Sequence, residues 1–380
     1  MQKVKVMTVF GTRPEAIKMA PLVLELKKRS AEFDTVTVVS AQHRQMLDQV
    51  LDIFKITPDY DLDIMKPRQT LDEITSNVIL ALGQIIDKEK PDIVLVHGDT
   101  TTTFAASVSA FYHQTAVGHV EAGLRTWNKY SPYPEEMNRQ LTDVLADLYF
   151  APTSQSEQNL LKEGHPEDAI FVTGNTAIDA LKQTVHEGYE HDVLKLIEPG
   201  KRIVLVTMHR RENQGEPMKR VFRVMRRVVE DHPDTEIIYP VHLNPVVQEA
   251  AKEILGNHPR IHLIDPLDVV DFHNLASRSY FIMTDSGGVQ EEAPSLGKPV
   301  LVLRDTTERP EGVTAGTLKL VGTEKASVET AMRELLDNPQ AYKQMAESKN
   351  PYGDGEASSR ILDAIAYHFG LRSDIPSRFE

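Results

Sequence analysis

The segment VKVMTVFGTRPEAIKMA, residues 4–20, places an apolar, β-branched run directly before a glycine and the start of a helix. Residues 4–10 have the pattern of a buried strand, and Pro14 stands in the first helical turn, where proline is favoured. Arg13 and Lys18 lie at the positive end of that helix, which is unfavourable for a cation unless an anion binds there. The segment therefore predicts a strand–helix unit with an anion site formed by backbone N–H groups and the two cations.

The same alternation of short apolar runs and longer amphipathic stretches continues along the chain, as in parallel α/β sheets. Strands are predicted at residues 4–10, 35–40, 93–97, 116–120, 148–151 and 170–173, and again at 203–207, 236–241, 261–264, 280–284, 300–303 and 318–321. We predict two Rossmann-like doubly wound domains, residues 1–172 and 173–357, with a cleft between them. A C-terminal helical segment, 358–380, is expected to pack back on the first domain.

The composition excludes several classes of protein. The 380 residues are 41% hydrophobic and carry 42 Lys+Arg against 56 Asp+Glu, so that the net charge of −14 disfavours nucleic acid as a partner. The chain has no cysteine, which removes disulfides, thiolate nucleophiles and Cys-ligated zinc. There is neither a signal-peptide pattern nor a run of about 20 apolar residues, so we expect a cytoplasmic protein with no membrane partner.

A second loop with the character of an anion site is TDSGGVQEE, residues 284–292. Its two glycines would let a diphosphate approach the backbone at a helix N-terminus, and Glu291 or Glu292 could accept hydrogen bonds from a ribose. The Rossmann G-x-G-x-x-G fingerprint is absent, which argues against a tightly bound NAD.

Three acidic residues lie near predicted strand ends of the first domain: Asp99, Glu121 and Glu135. Clustered carboxylates shift one another's pKa values and can provide the acid and the base of a proton transfer. His209 and the arginines after it could face a leaving phosphate. The D-x-D pattern at residues 59–63 is too loose to predict a metal, and none is expected.

Seven motifs in order resemble the bacterial non-hydrolysing UDP-N-acetylglucosamine 2-epimerases. They are GTRPEAIKMAPL, VHGDTTTTFAA, GHVEAGLRT, YSPYPEEMNR, HRREN, YPVHLNP and TDSGGVQEEAPSLGKPVLVLRDTTERPE. The resemblance implies a GT-B-like fold and an isomerase, usually a homodimer, that interconverts UDP-GlcNAc and UDP-ManNAc for surface polysaccharide. It implies elimination and re-addition of UDP through 2-acetamidoglucal, with no cofactor, since transient oxidation at C3 would need a nicotinamide.

The resemblance also implies three sets of site residues. The catalytic set is Asp99, Glu121, Glu135 and His209. The UDP-binding set is Arg13, Lys18, Phe272, Ser286, Gly287 and Glu292. Some members bind a second UDP-GlcNAc as an allosteric activator, whose contacts would be Gln42, Gln45, Arg68, Arg210 and His242.

Three other functions stay open at this point. A GT-B glycosyltransferase would share the nucleotide-sugar sites, but it would need an acceptor pocket and would not explain three carboxylates on the first domain. A hydrolysing epimerase would release free ManNAc and UDP. A catalytically silent nucleotide-sugar sensor is disfavoured by the full set of acidic residues and His209.

Overall fold

The computed structural model describes residues 3–41, 44–66, 68–307 and 309–380. These form two compact units: unit 1 comprises residues 1–180 and 353–380, and unit 2 comprises residues 181–352. No helix among the described residues is both long and apolar enough to cross a membrane.

The strands and helices follow one another in a regular alternation. The strands are β1 Val4–Phe10, β2 Phe33–Val39, β3 Tyr60–Asp61, β4 Ile93–His97, β5 Ala116–Val120, β6 Leu148–Ala151, β7 Ile170–Val172, β8 Arg202–Thr207, β9 Thr235–Pro240, β10 Ile261–Ile264, β11 Phe281–Thr284, β12 Val300–Val302 and β13 Leu318–Leu320. The helices are α1 Arg13–Lys28, α2 Arg44–Phe54, α3 Leu71–Glu89, α4 Thr101–Tyr112, α5 Glu135–Leu145, α6 Ser154–Lys162, α7 Thr176–Thr184, α8 Asp192–Leu196, α9 Glu216–Asp231, α10 Pro245–Leu255, α11 Val269–Arg278, α12 Gly287–Glu292, α13 Pro310–Thr314, α14 Lys325–Asp337, α15 Pro339–Ala346 and α16 Ala357–His368.

Unit 1 is built on a parallel sheet with the strand order β3-β2-β1-β4-β5-β6-β7. Helices α1, α2 and α16 cover one face, and α3 and α4 cover the other, so the central strands are buried on both faces. This explains their continuously apolar sequences. The order reverses between β1 and β4, and ligands of such sheets bind beyond the carboxyl ends of the strands at that point.

Unit 2 repeats the arrangement with the order β10-β9-β8-β11-β12-β13. Helices α9, α10 and α14 pack on one face, and α11 and α12 on the other. The strand order reverses between β8 and β11. The predicted class, two Rossmann-like doubly wound parallel-sheet domains of the GT-B type, is confirmed.

The boundaries of the units differ from the predicted 172/173 and 357/358. The prediction was based on where the alternation of strands and helices restarts, whereas part of α7 and the residues just before α16 pack with unit 1. Asp179 of α7 accepts hydrogen bonds from the backbone N–H groups of Ala357 (3.0 Å) and Ser358 (3.2 Å), which caps α16. Ile361 and Ile365 of α16 are buried in the core beside α1. The first part of α7 and all of α16 therefore belong to unit 1.

Candidate active site

The loop after β1 is held by a buried glutamate. The carboxylate of Glu15, 2% exposed, accepts hydrogen bonds from the N–H groups of Gly11 (3.1 Å) and Thr12 (2.8 Å) and from the hydroxyl of Thr100 (2.7 Å). Burial raises the pKa of Glu15, and these donors oppose the rise. Two of the backbone N–H groups that the sequence assigned to an anion therefore already bind Glu15. Any phosphate at this helix start must use the cations and the remaining donors.

Gly11 is required at this loop by close packing. A Cβ atom built on it would lie 1.8 Å from Oγ of Ser40 and 2.9 Å from Oγ1 of Thr102. The loop after β1 is therefore pressed against the ends of β2 and α4, which keeps α1 close to the strand ends.

Glu121 follows β5 in a left-handed conformation, φ 68°, which is uncommon for a residue with a side chain. Its Oε1 forms a salt bridge with Lys18 and accepts a hydrogen bond from the Asn175 amide at 2.9 Å. The Lys18 and Glu121 side chains are only 14% and 10% exposed. The structure thus brings the predicted phosphate ligand Lys18 against a predicted catalytic carboxylate.

Asp99 follows β4 and is bound to a residue of α5. Its Oδ2 lies 2.7 Å from Nη2 of Arg139, and its carbonyl accepts a hydrogen bond from Asn138 at 3.0 Å. Burial raises the pKa of Asp99; the Arg139 guanidinium opposes the rise, whereas the nearby charges of Glu121 and Glu135 add to it. Glu121 and Glu135 therefore lie near enough for their charges to act on Asp99, and we call Asp99, Glu121 and Glu135 the carboxylate cluster.

The two glutamates that begin α5 have different surroundings. Glu136 is fully buried and accepts hydrogen bonds from the N–H groups of Thr126 and Trp127, both at 3.0 Å. Burial would raise the pKa of Glu136, but these bonds and the charge of Arg139 hold it below its ordinary value. Glu136 therefore organises the preceding loop, and Glu135 is the one placed beside Asp99.

A buried histidine links the segments that carry the cluster. Nε2 of His119 lies 2.7 Å from the Gly98 carbonyl, and Nδ1 lies 2.5 Å from Asp143 of α5. Each ring nitrogen therefore lies within hydrogen-bond distance of an oxygen atom of another segment. His119 thereby ties the turn before Asp99, strand β5 and helix α5 together.

In unit 2, Asp285 organises the loop after β8. It is fully buried, and its Oδ2 accepts hydrogen bonds from the N–H groups of His209 (3.0 Å) and Arg210 (2.9 Å) and from the Asn213 amide (3.0 Å). The His209 ring stacks on His242 with centroids 5.3 Å apart. Burial lowers the pKa of His209, Asp285 opposes this, and His242 and Arg210 lower it further.

After the turn from β11 into α12, Glu291 and Glu292 have different surroundings. The sequence alone did not decide which of the two could contact a ribose. Glu291 is 3% exposed and is bound by Arg309 at 2.7 Å. Glu292 lies 3.4 Å from Nε2 of His273, next to the half-buried ring of Phe272. Ser286 is the N-cap of α12, but its side chain makes no capping hydrogen bond. This geometry favours Glu292 over Glu291 as a ligand contact.

The predicted activator contacts lie in both units. Arg210 and His242 adjoin His209 in unit 2, whereas Gln45 and Arg68 are exposed residues of unit 1. Gln42 lies outside the described residues. The structure therefore places two of the predicted activator contacts directly beside the predicted catalytic histidine.

The D-x-D residues have an arginine partner. Asp61 and Asp63 form salt bridges with Arg44, the latter at 2.6 Å. Among residues 3–41, 44–66, 68–307 and 309–380, no group of three or more His, Cys, Asp or Glu side chains has the arrangement of a metal site.

Sequence reasoning missed Glu15, Arg139 and Asp285 as residues that shape the site. The signal for Glu15 was available, because Thr12 and Glu15 have the spacing of a capping box, which the structure contains. Arg139 and Asp285 act through contacts with residues far away in sequence, and no local pattern identifies them.

Comparisons with known proteins identify the family of this chain. The model of the UDP-N-acetylglucosamine 2-epimerase family matches residues 25–366. A UDP-N-acetylglucosamine 2-epimerase of Bacillus subtilis is 64% identical, with 100% of this chain and 99% of the relative covered. A crystal structure of a UDP-N-acetylglucosamine 2-epimerase has 62% identity, a TM-score of 0.94 and full coverage of both chains. The Neisseria meningitidis UDP-GlcNAc 2-epimerase, solved bound to UDP-GlcNAc, has 51% identity and a TM-score of 0.85, over 95% of this chain and 99% of that one. The chain therefore belongs to the UDP-N-acetylglucosamine 2-epimerase family.

Proposed function

We propose that this enzyme interconverts UDP-GlcNAc and UDP-ManNAc without hydrolysis, by eliminating UDP across C1–C2 and adding it back to 2-acetamidoglucal. The observation that carries the proposal is the carboxylate cluster at the ends of β4 and β5 and the start of α5. The hydrogen on C2 is not acidic, because no carbonyl stands on a neighbouring ring carbon. Its removal therefore needs a positioned base and a stabilised leaving group.

The cluster has the properties that such a proton transfer needs. Asp99 has a raised pKa because of burial, and its surroundings differ from those of Glu121, which is bound by Lys18 and Asn175. Neighbouring carboxylates in unlike surroundings can hold different protonation states at one pH. We propose that one member removes the C2 proton and that another returns a proton to the opposite face.

We propose that the leaving UDP is bound by the residues that the resemblance implies. Arg13 and Lys18 begin α1 of unit 1, and Ser286 and Gly287 lead into α12 of unit 2, with Glu292 on the ribose and Phe272 near the uracil. His209, next to Arg210, is assigned to the departing phosphate.

We propose that the reaction uses neither a nicotinamide nor a metal. The sequence has no dinucleotide fingerprint, and two of the three aspartates of the D-x-D pattern, Asp61 and Asp63, are bound to Arg44. Activity should therefore be unchanged by added NAD and by a chelator such as EDTA.

A homodimer is proposed from exposed apolar side chains on adjacent helices of unit 1. Leu80 of α3, Phe111 and Tyr112 of α4 and Val144 of α5 are each more than half exposed. Exposed apolar patches on packed neighbouring helices are typical of protein–protein contacts. Sedimentation velocity should give twice the mass of 42.7 kDa, and Val144→Asp should shift the protein towards the monomer.

Activation by a second UDP-GlcNAc is proposed from the position of Arg210 and His242. Because the His242 ring stacks on His209, a ligand that contacts His242 would act on the orientation of His209. We expect a sigmoidal dependence of rate on UDP-GlcNAc that becomes hyperbolic in His242→Ala. The use of the product in surface polysaccharide stays an expectation of the resemblance.

Proton NMR of the enzyme with UDP-GlcNAc alone tests the proposed function. UDP-ManNAc should accumulate to equilibrium. Free ManNAc with UDP would indicate a hydrolysing enzyme, and no reaction in the absence of an acceptor would indicate a glycosyltransferase or a sensor.

A further inference from the structure

A second buried histidine of unit 1, His97, faces the carboxylate cluster and has no role in the reaction outlined above. It is the last residue of β4 and is 3% exposed, and its buried Nε2 atom has no hydrogen-bond partner among the residues that the structure describes. A buried nitrogen without a partner is costly, so its retention calls for an explanation. Nε2 lies 3.8 Å from Oε2 of Glu121, too far for a hydrogen bond but within a small side-chain movement of one.

The ring of His97 is neutral. Burial lowers the pKa of His97 to about 4; the Glu121 charge opposes this, and Lys18 and His119 lower the pKa further. The backbone carbonyl of His97 itself acts on the ring as an acceptor, which requires an N–H donor, and within the described part of the chain Nε2 has no partner. We therefore assign the ring proton to Nδ1, so that Nε2 presents a lone pair to Glu121.

A lone pair facing Glu121 cannot bond to its ionised carboxylate, because neither atom carries a proton. It can accept a hydrogen bond when Oε2 of Glu121 is protonated. Lys18 and Asn175 bind the other oxygen, Oε1, and stabilise the ionised form. The two sides of the Glu121 carboxyl group thus favour opposite protonation states.

We propose that His97 is a positioning residue that accepts a hydrogen bond from protonated Glu121 and so stabilises the carboxylic acid form during the reaction. This rests on the proposed function. The proton that Glu121 takes up stays on Oε2, the Oε2–H group donates to Nε2, and His97 itself neither gains nor loses a proton. Lys18, Asp99 and His119 are the other charged or titratable groups facing this pair.

The test compares His97→Gln, which keeps an acceptor oxygen at similar reach, with His97→Met, which has a similar length and no comparable acceptor. We expect His97→Met to lower kcat about tenfold, the effect of one neutral hydrogen bond, with unchanged UDP affinity by titration calorimetry. In His97→Met the protonated form of Glu121 loses this hydrogen bond, so the pKa of Glu121 should fall. The limb of the pH–rate profile set by Glu121 should then move to lower pH, whether the reaction needs Glu121 protonated or ionised. His97→Gln should restore the rate and the profile.

Parent-like kcat and pH dependence in His97→Met would overturn the proposal. Equal rate losses in both variants without a pH shift would also overturn it, because they would indicate packing alone. If His97→Met does not fold, [¹⁵N]histidine NMR can be applied to the parent and to Glu121→Gln, whose amide N–H imitates the protonated acid. The His97 Nε2 signal should differ between these proteins, and identical signals would refute the bond. A parent that forms no UDP-ManNAc would contradict the proposed function instead.

Discussion

Replacing Arg139 should move the pH dependence of the enzyme, because its guanidinium is the nearest cation to Asp99. Nη2 of Arg139 lies 2.7 Å from Oδ2 of Asp99, and the Asp99 side chain is 31% exposed. Two unit charges about 4 Å apart at an effective dielectric constant of about 20 interact by roughly 4 kcal/mol, equivalent to about 3 pKa units. Partial exposure screens part of this, so we expect Arg139→Met to raise the pKa of Asp99 by about 1–2 units.

The assay is kcat/KM for UDP-GlcNAc measured across the pH range for the parent and Arg139→Met. The limb set by Asp99 should move to higher pH, since the ionised form of Asp99 loses its partner. Arg139→Lys is the matched control, because it keeps the charge and should show a smaller shift. Arg29→Met removes a guanidinium bound to Glu32 and Asp363, and the profile should not move. A profile for Arg139→Met that overlays the parent's would refute the assigned role of this pair.

Three further predictions follow from the site. Amide substitution of each member of the carboxylate cluster should keep the fold and lower kcat, measured by coupled assay, by about 10²–10⁴-fold. A loss of only a few fold would assign that residue a structural role. Asp285→Asn turns three charge-assisted hydrogen bonds into neutral ones and should cost about 3 kcal/mol of unfolding free energy in urea denaturation; the control Asp192→Asn, at an exposed position, should leave the free energy of unfolding nearly unchanged. Arg13→Ala should weaken UDP binding by about 1.5–3 kcal/mol in titration calorimetry, whereas equal affinity would exclude Arg13 from the phosphate site.

The fold could be predicted from the sequence because strands covered on both faces have continuously apolar runs of recognisable length. Strand β3, only Tyr60–Asp61, was missed because two residues carry no periodic pattern. The boundary near α7 was also misplaced. Its position depends on Asp179 capping α16, a contact across 178 residues of sequence.

The positions of Asp99 and Glu121 were predictable, since residues that follow parallel strands meet at one edge of the sheet. Their partners were not predictable, because these come from distant segments: Asn175 binds Glu121 across 54 residues. At the start of the helix after β1, too, the hydrogen-bond partners could not be predicted from the sequence. Its amide donors suggested an anion site, but the protein's own Glu15 takes two of them.

The most direct test of the account is the fate of the hydrogen on C2 during turnover in D₂O. If the carboxylate cluster removes and returns a proton at C2, the UDP-ManNAc formed from UDP-GlcNAc should carry deuterium at that carbon. NMR at partial conversion measures this without a coupling enzyme. Complete retention of the original hydrogen would contradict both elimination with solvent exchange and the role assigned to the cluster.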